Sequence, residues 1–360
     1  MPTPLLPMLQ DAMKAGASDI LIVSGSPLAF KINGRITHVG TEHLSPGDTE
    51  ELIRAIYELD RQRSLDALLN SGDDDFSFSV SGLGRFRCSA YKQRSSLSAV
   101  LRIVSFSLPD ADALHIPPAV LDLCGRQKGL ILITGAAGSG KSTTLACMID
   151  RINHTREGHV ITLEDPIEFL HTHDRCIVSQ REISHDTEGY EPALRAALRQ
   201  APDVILLGEM RDFETIRTVI TAAETGQLVL STLHTVGAAK TIDRIIDVFP
   251  PNQQQQIRVQ LSMVLQAVVS QQLIPTLDGH LVPAFEIMVA TPAIRTMIRE
   301  SKIYQIDNVL YAGGAQGMQA MDASGGFRGH IPGKCPGLQR KSGHAGQKAA
   351  GLTALVMARQ

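Results

Sequence analysis

The chain has 360 residues, 43% of them apolar and 20% charged, with a formal net charge of −3. That is the composition of a globular protein with room for two cores, and it lacks the overall basic character of a nucleic-acid binder. Tryptophan is absent and aromatics make up 4%, which argues against a base-stacking platform and hence against direct contact with nucleic acid.

No apolar run approaches the roughly 18 residues that span a bilayer, and no basic region followed by an apolar run opens the chain. The five cysteines form no C-x-x-C pair, a usage that fits a reducing compartment and argues against a structural zinc site.

Taken in chain order, Leu5 to Lys14 has a short amphipathic helical pattern. Asp19–Val23, Leu28–Ile32 and Ile36–Val39 read as strands, with Asn33-Gly34 as a hairpin signal between the last two. Ser45 can cap a helix running to Leu59, with Pro46 at its first position. Phe76–Val80, Gly84–Tyr91 and Leu97–Val104 then read as an antiparallel meander. Residues 1–105 thus form a small α+β domain, and the proline-rich stretch 106–118 reads as a linker.

From about Ala119 the pattern turns to α/β. Strands are expected at Gly129–Thr134, His159–Leu163, Val204–Leu207 and Leu228–Thr232, and helices at Phe213–Thr225 and Asn252–Leu273. The alternation implies a mainly parallel sheet with ligands at the carboxyl ends of its strands. The second helix would carry Ile257, Leu261, Val264, Leu265 and Val268 on one stripe. Residues 325–360 differ from all this: eight glycines, six Lys/Arg and no acid predict a disordered or poorly packed tail.

The chemistry is concentrated in Gly135-Ala-Ala-Gly138-Ser139-Gly140-Lys141-Ser142-Thr143, a G-x-x-x-x-G-K-[ST] loop between an apolar strand and a helix. Glycines let backbone amides approach phosphates, and the helix N-terminus adds partial positive charge. Lys141 would reach the β- and γ-phosphates of ATP, and the Ser142 hydroxyl would hold Mg²⁺. Three further strands end in candidate groups. Val204–Leu207 leads to Glu209, placed to hold Mg²⁺ through water, or alternatively to pair with Arg211. Val160–Leu163 leads to Glu164, which a strand beside the cradle would bring near the γ-phosphate as the base for the attacking water. Leu228–Leu233 leads to His234, which could donate to the γ-phosphate. His171 and His173, in a polar loop, read as solvated histidines.

In this order the segments resemble the secretion and pilus motor ATPases, and more closely the type IV pilus retraction ATPases. The resemblance runs from about Leu5 to Ser324 and includes Ile161–Phe169, Leu207–Asp212, Thr225–Thr235 and Ala293–Glu300, the last similar to the family's AIRNLIRE segment. It implies a RecA-like P-loop ATPase domain over 119–324, preceded by a PAS-like domain. It also implies a cytoplasmic homo-hexamer at the inner face of the cell membrane, held there by an inner-membrane pilus platform protein. ATP would lie between the two domains near a subunit boundary, with Arg87 and Arg102, or Arg94, reaching its phosphates.

Two departures stand out: Gln227 where the family often has histidine, and the tail. A change of reading frame or a sequencing error near codon 324 would account for the tail. Alternatives to retraction are a pilus-assembly or type IV secretion/conjugation ATPase and, in another class, a nucleotide-dependent switch or scaffold with little turnover. Assembly and type II secretion relatives usually carry a longer N-terminal region and a four-cysteine insert, and this chain has neither. A DNA-translocating motor is a further alternative, weakened by the net charge.

Overall fold

The computed structural model describes residues 4–32, 34–60, 63–104, 108–275 and 281–323. The expectations for Asn33 and for the tail from residue 324 fall outside the described residues. The chain divides into two compact units, each with its own core.

The first unit gathers residues 1–108 with Asp165–Thr172 and Arg181–Glu188. In chain order it contains α1 (Leu5–Lys14), β1 (Asp19–Ile22), β2 (Pro27–Ile32), β3 (Arg35–His43), α2 (Pro46–Leu59), α3 (Asp66–Ser71), β4 (Asp73–Val80), β5 (Gly84–Gln93) and β6 (Ser96–Val104). The strands form one antiparallel sheet in the order β3-β2-β1-β6-β5-β4. Ser45 caps α2 in a reciprocal capping box with Asp48, which satisfies two otherwise unpaired amides. Ile53 and Ile56 of α2 pack with Leu9 of α1, Ile20 of β1 and Phe86 of β5.

The two distant segments join this unit through a buried ion pair. Glu182 accepts from Arg85 at 3.0 Å and from the Ile167 amide at 3.1 Å. Sequence order alone assigns both segments to 119–324; a carboxylate 6% exposed has to find its cation wherever the chain supplies one.

The second unit contains α4 (Pro118–Leu121), β7 (Gly129–Thr134), α5 (Lys141–Thr155), β8 (Gly158–Glu164), β9 (Cys176–Glu182, its last two residues counted with the first unit), α6 (Tyr190–Ala197), β10 (Val204–Leu207), α7 (Phe213–Thr225), β11 (Leu228–Leu233), α8 (Ala238–Asp247), α9 (Pro251–Val264), β12 (Leu265–Pro275), β13 (Leu281–Val289), α10 (Pro292–Arg299) and α11 (Ile306–Ala312). Its sheet has the order β13-β12-β7-β11-β10-β8-β9. The ladders from β8 through β10, β11 and β7 to β12 are parallel, and β13 closes on β12 antiparallel. Every residue of β7, β10 and β11 is buried, as expected for parallel strands covered on both faces. The second half of the expected linker belongs to this core: Ile116 is buried there, with Ala111 and Leu114 packed against it.

One expected element is corrected. The helix predicted over Asn252–Leu273 stops at Val264, and Leu265 opens β12. Val268 faces Leu132 of β7 on one side and Met288 of β13 on the other. Val268 and Val269 are consecutive and both fully buried. That requires cover on both faces, which a strand between two strands provides for β-branched residues. Strands β9 and β13 and helix α3 were also not anticipated. No helix among the described residues is long and apolar enough to cross a membrane.

Candidate functional site

The chain leaves β7 at Thr134 and turns through Gly135–Gly140 into α5, whose first residue is Lys141. Gly135 has φ +148°, and a Cβ there would lie 2.3 Å from the Gln271 carbonyl oxygen and 2.6 Å from Ser139 Oγ. Gly140 is the N-cap of α5 at φ +88°. A Cβ at Gly140 would stand 2.8 Å from Gln271 Nε2. Both positions need glycine on conformational and steric grounds. Gly138, at φ +74°, completes the turn.

Lys141 is 8% exposed, and its ammonium donates to the carbonyls of Gly135 (3.0 Å) and Ala136 (2.8 Å), folding the loop over the start of α5. Ser139 is buried, and its Oγ has no hydrogen-bond partner among the described residues. Ser142 is exposed and Thr143 half-buried. A cradle that a Cβ at Gly135 or Gly140 would fill, an unpaired buried hydroxyl, and the N-terminus of a 15-residue helix together fit a bound polyphosphate.

β11 lies directly beside β7, with Leu233 facing Thr134 and the Gly135 amide donating to the Leu233 carbonyl at 3.2 Å. His234, the next residue, therefore emerges alongside the cradle. Its Nε2 lies 3.3 Å from Glu209 Oε2. Glu209 follows β10 and also binds Arg211, whose hydrogen bond holds the carboxyl below its ordinary value of 4.5. The pairing with Arg211, the alternative raised for Glu209, is thus present together with the histidine contact. The strand tips are tied to one another. The Gly208 amide donates to the Leu163 carbonyl (2.8 Å), the Met210 amide to the Thr232 carbonyl (3.1 Å), and Thr232 Oγ1 to the Gly208 carbonyl (2.6 Å).

Glu164 ends β8 and accepts from Thr162 Oγ1 at 2.6 Å and Gln180 Nε2 at 3.3 Å. Contrary to the expectation from sequence, its strand does not lie beside the cradle. β11 and β10 intervene, so β8 runs roughly 14 Å from β7 at ~4.8 Å per strand step. The connection order of a parallel sheet is a tertiary property that spacing along the chain does not reveal.

Arg87 and Arg102 belong to the first unit and face each other across the β5–β6 ladder. Arg102 Nε donates to Asp19 Oδ1 at 3.0 Å. Arg94 is exposed in the β5–β6 turn, at φ +46°. Sequence reasoning missed Arg85, although the Arg85-x-Arg87 alternation places it on the same face as Arg87. It also missed Gln271, hidden in a segment read as helix. Gln227, the departure noted above, accepts from Thr225 Oγ1 at 2.8 Å.

On α10 the two arginines differ. Arg295 donates to the carbonyls of Ser262 (2.7 Å) and Met263 (2.8 Å) at the end of α9, whereas Arg299 is exposed and bonds Thr296 within its own helix.

The family described as "Type II/IV secretion system protein" matches residues 3–319. The type IV pilus retractation ATPase PilT of Pseudomonas aeruginosa is 44% identical over 315 residues, covering 88% of this chain and 91% of that protein. A twitching motility protein of Neisseria gonorrhoeae is 43% identical over 296 residues, covering 82% of this chain and 78% of the relative. A crystal structure of the pilus retraction motor PilT with bound ADP superposes with a TM-score of 0.79 at 44% identity, covering 89% of this chain and 95% of that one. The chain belongs to the type II/IV secretion system protein family, and within it is similar to the pilus retraction ATPase PilT.

Proposed function

We propose that this chain is an ATP-hydrolysing motor that powers type IV pilus retraction. It works as a homo-hexamer on the cytoplasmic face of the inner membrane, docked on a pilus platform protein. The observation that carries this reading is the cradle with His234 and Glu209 at the adjoining strand tips, in a chain so similar to a retraction ATPase.

Within that reading, the α5 amides and Lys141 bind the phosphates and hold their charge in place. Lys141 is suited to this because it donates to main-chain carbonyls of the loop itself, bonds it can exchange for bonds to phosphate oxygens. Ser142 would hold Mg²⁺ directly and Glu209 through water. Glu209 fits the part, being kept ionised by Arg211. Magnesium, when bound, neutralises charge on the phosphate oxygens. Glu164 takes the proton of the attacking water, and Thr162 and Gln180 fix the carboxylate's orientation. His234 donates to the γ-phosphate and passes its loss to Glu209. Arg87 and Arg102 supply charge relief of the kind an arginine finger gives.

The test is Glu164→Gln. It keeps ATP affinity and lowers turnover by about 100-fold or more, and cells carrying it extend pili without retracting them. Turnover at the wild-type rate removes Glu164 as base. Normal retraction despite lost hydrolysis removes the motor reading.

A further inference from the structure

β12 runs beside the cradle strand, and two consecutive residues on it face opposite ways. Gln271 is 3% exposed, and its Oε1 accepts from Thr144 Oγ1 in the first turn of α5 at 2.8 Å. Its carbonyl oxygen abuts Gly135 and its Nε2 abuts Gly140, the two glycines that bound the loop. One residue thus touches the entry of the cradle, its exit and the helix behind it.

Ser270 is fully buried, and its Oγ accepts from the Gly237 amide at 2.9 Å. Gly237 is the N-cap of α8, three residues past His234. Glu286 of β13 sits opposite Ser270 in the ladder and accepts from the Ala238 amide at 2.8 Å. Paired residues on neighbouring strands share a face, so serine and carboxylate hold the start of α8 together.

We propose that Ser270 and Gln271 are positioning residues for hydrolysis. Gln271 sets the shape of the phosphate cradle, and Ser270 sets the segment that follows His234. The inference rests on the reading of the cradle as an ATP site. Because the two side chains are adjacent on one rigid strand, the cradle and the His234 segment keep a fixed spacing. Ordinary core packing would account for burial but not for two polar side chains each aimed at a different part of the site.

The experiment measures ATP affinity, KM, kcat and melting temperature in the full chain for Gln271→Met, Thr144→Val, their double variant and Ser270→Ala. Gln271→Met and Thr144→Val each weaken ATP binding about tenfold. The double variant is no weaker than either single one, because both remove the same bond. Ser270→Ala lowers kcat about tenfold with KM unchanged. A purely structural role lowers the melting temperature and the active fraction alike in all variants, with no split between KM and kcat, and that outcome overturns the proposal. So does wild-type affinity in Gln271→Met. If Gln271→Met does not fold, Thr144→Ser decides: affinity restored relative to Thr144→Val supports the shared bond, and equal affinity refutes it. Lys141→Ala is the control for the underlying reading, since normal ATP binding there removes the ATP site itself, whatever the β12 variants do.

Discussion

Lys141 and Glu209 show how single residues acquire their chemistry here. Lys141 is nearly buried and donates to two main-chain oxygens, which are weak partners for an ammonium compared with phosphate. Lys141→Ala should therefore abolish measurable ATP binding while leaving the fold intact, as read by titration with a fluorescent ATP analogue and by thermal unfolding.

Glu209 predicts a pH dependence. Its folded pKa lies below the ordinary 4.5, chiefly through the Arg211 hydrogen bond and then through His234. A depressed carboxylate stabilises the fold above its unfolded value, and the contribution is lost as pH falls through the lowered folded value. The wild type should melt above Glu209→Gln at pH 7, and the two curves should converge as pH falls below 4.5 and through the lowered folded value. A gap that persists in acid would show that the difference comes from packing.

Helix α10 shows an element whose sequence suggested one role and whose packing divides it. Ile294 and Ile298 are buried, and Arg295 caps the carbonyl end of α9, where a cation is favoured. Arg299 is left for other work. Arg295→Ala should cost about 1.5–3 kcal/mol of stability through the lost charge-assisted bonds. Arg299→Ala should stay within about 0.5 kcal/mol. If α10 couples hydrolysis to retraction, Arg299→Ala keeps basal ATPase activity and stops twitching. Denaturant unfolding and a stab-inoculation motility assay separate the two residues, and normal twitching in Arg299→Ala makes that side chain ordinary surface.

For the whole molecule, the proposed ring is what would turn a nucleotide cycle into repeated strokes. Native mass measured with a non-hydrolysable ATP analogue should show a hexamer for the full chain and for a version ending at Ser324. A monomer in both would remove the ring. A hexamer from the shorter version alone would mean that residues after Ser324 obstruct assembly. Sequencing the coding DNA around codon 324 tests the frame change directly, since the idea requires another frame there to encode a leucine- and acid-rich continuation.

Most local structure was legible because it depends on neighbours in the chain. The limits of α1, β7, β10 and α7 follow from apolar periodicity and from caps such as Asp212, whose side chain accepts from the Thr215 amide. The phosphate cradle was legible for the same reason: glycine, lysine and serine at fixed spacing set their own geometry within one loop. What could not be read depends on residues far apart. The apolar positions 257, 261, 264, 265 and 268 fit a helix by spacing, and only the flanking β7 and β13 make the later ones a strand.

Arg85 finds Glu182 across 97 residues, inside a unit that joins segments far apart in the chain. Gln271 reaches Thr144 across 127 residues and gives the cradle a support that no motif announces. The sequence by itself determined the phosphate loop, the strands that deliver Glu164, Glu209 and His234, and the family. Only the tertiary structure decided the order of those strands, and with it which groups meet, because ladder order is set by burial across the whole sheet and not by distance along the chain.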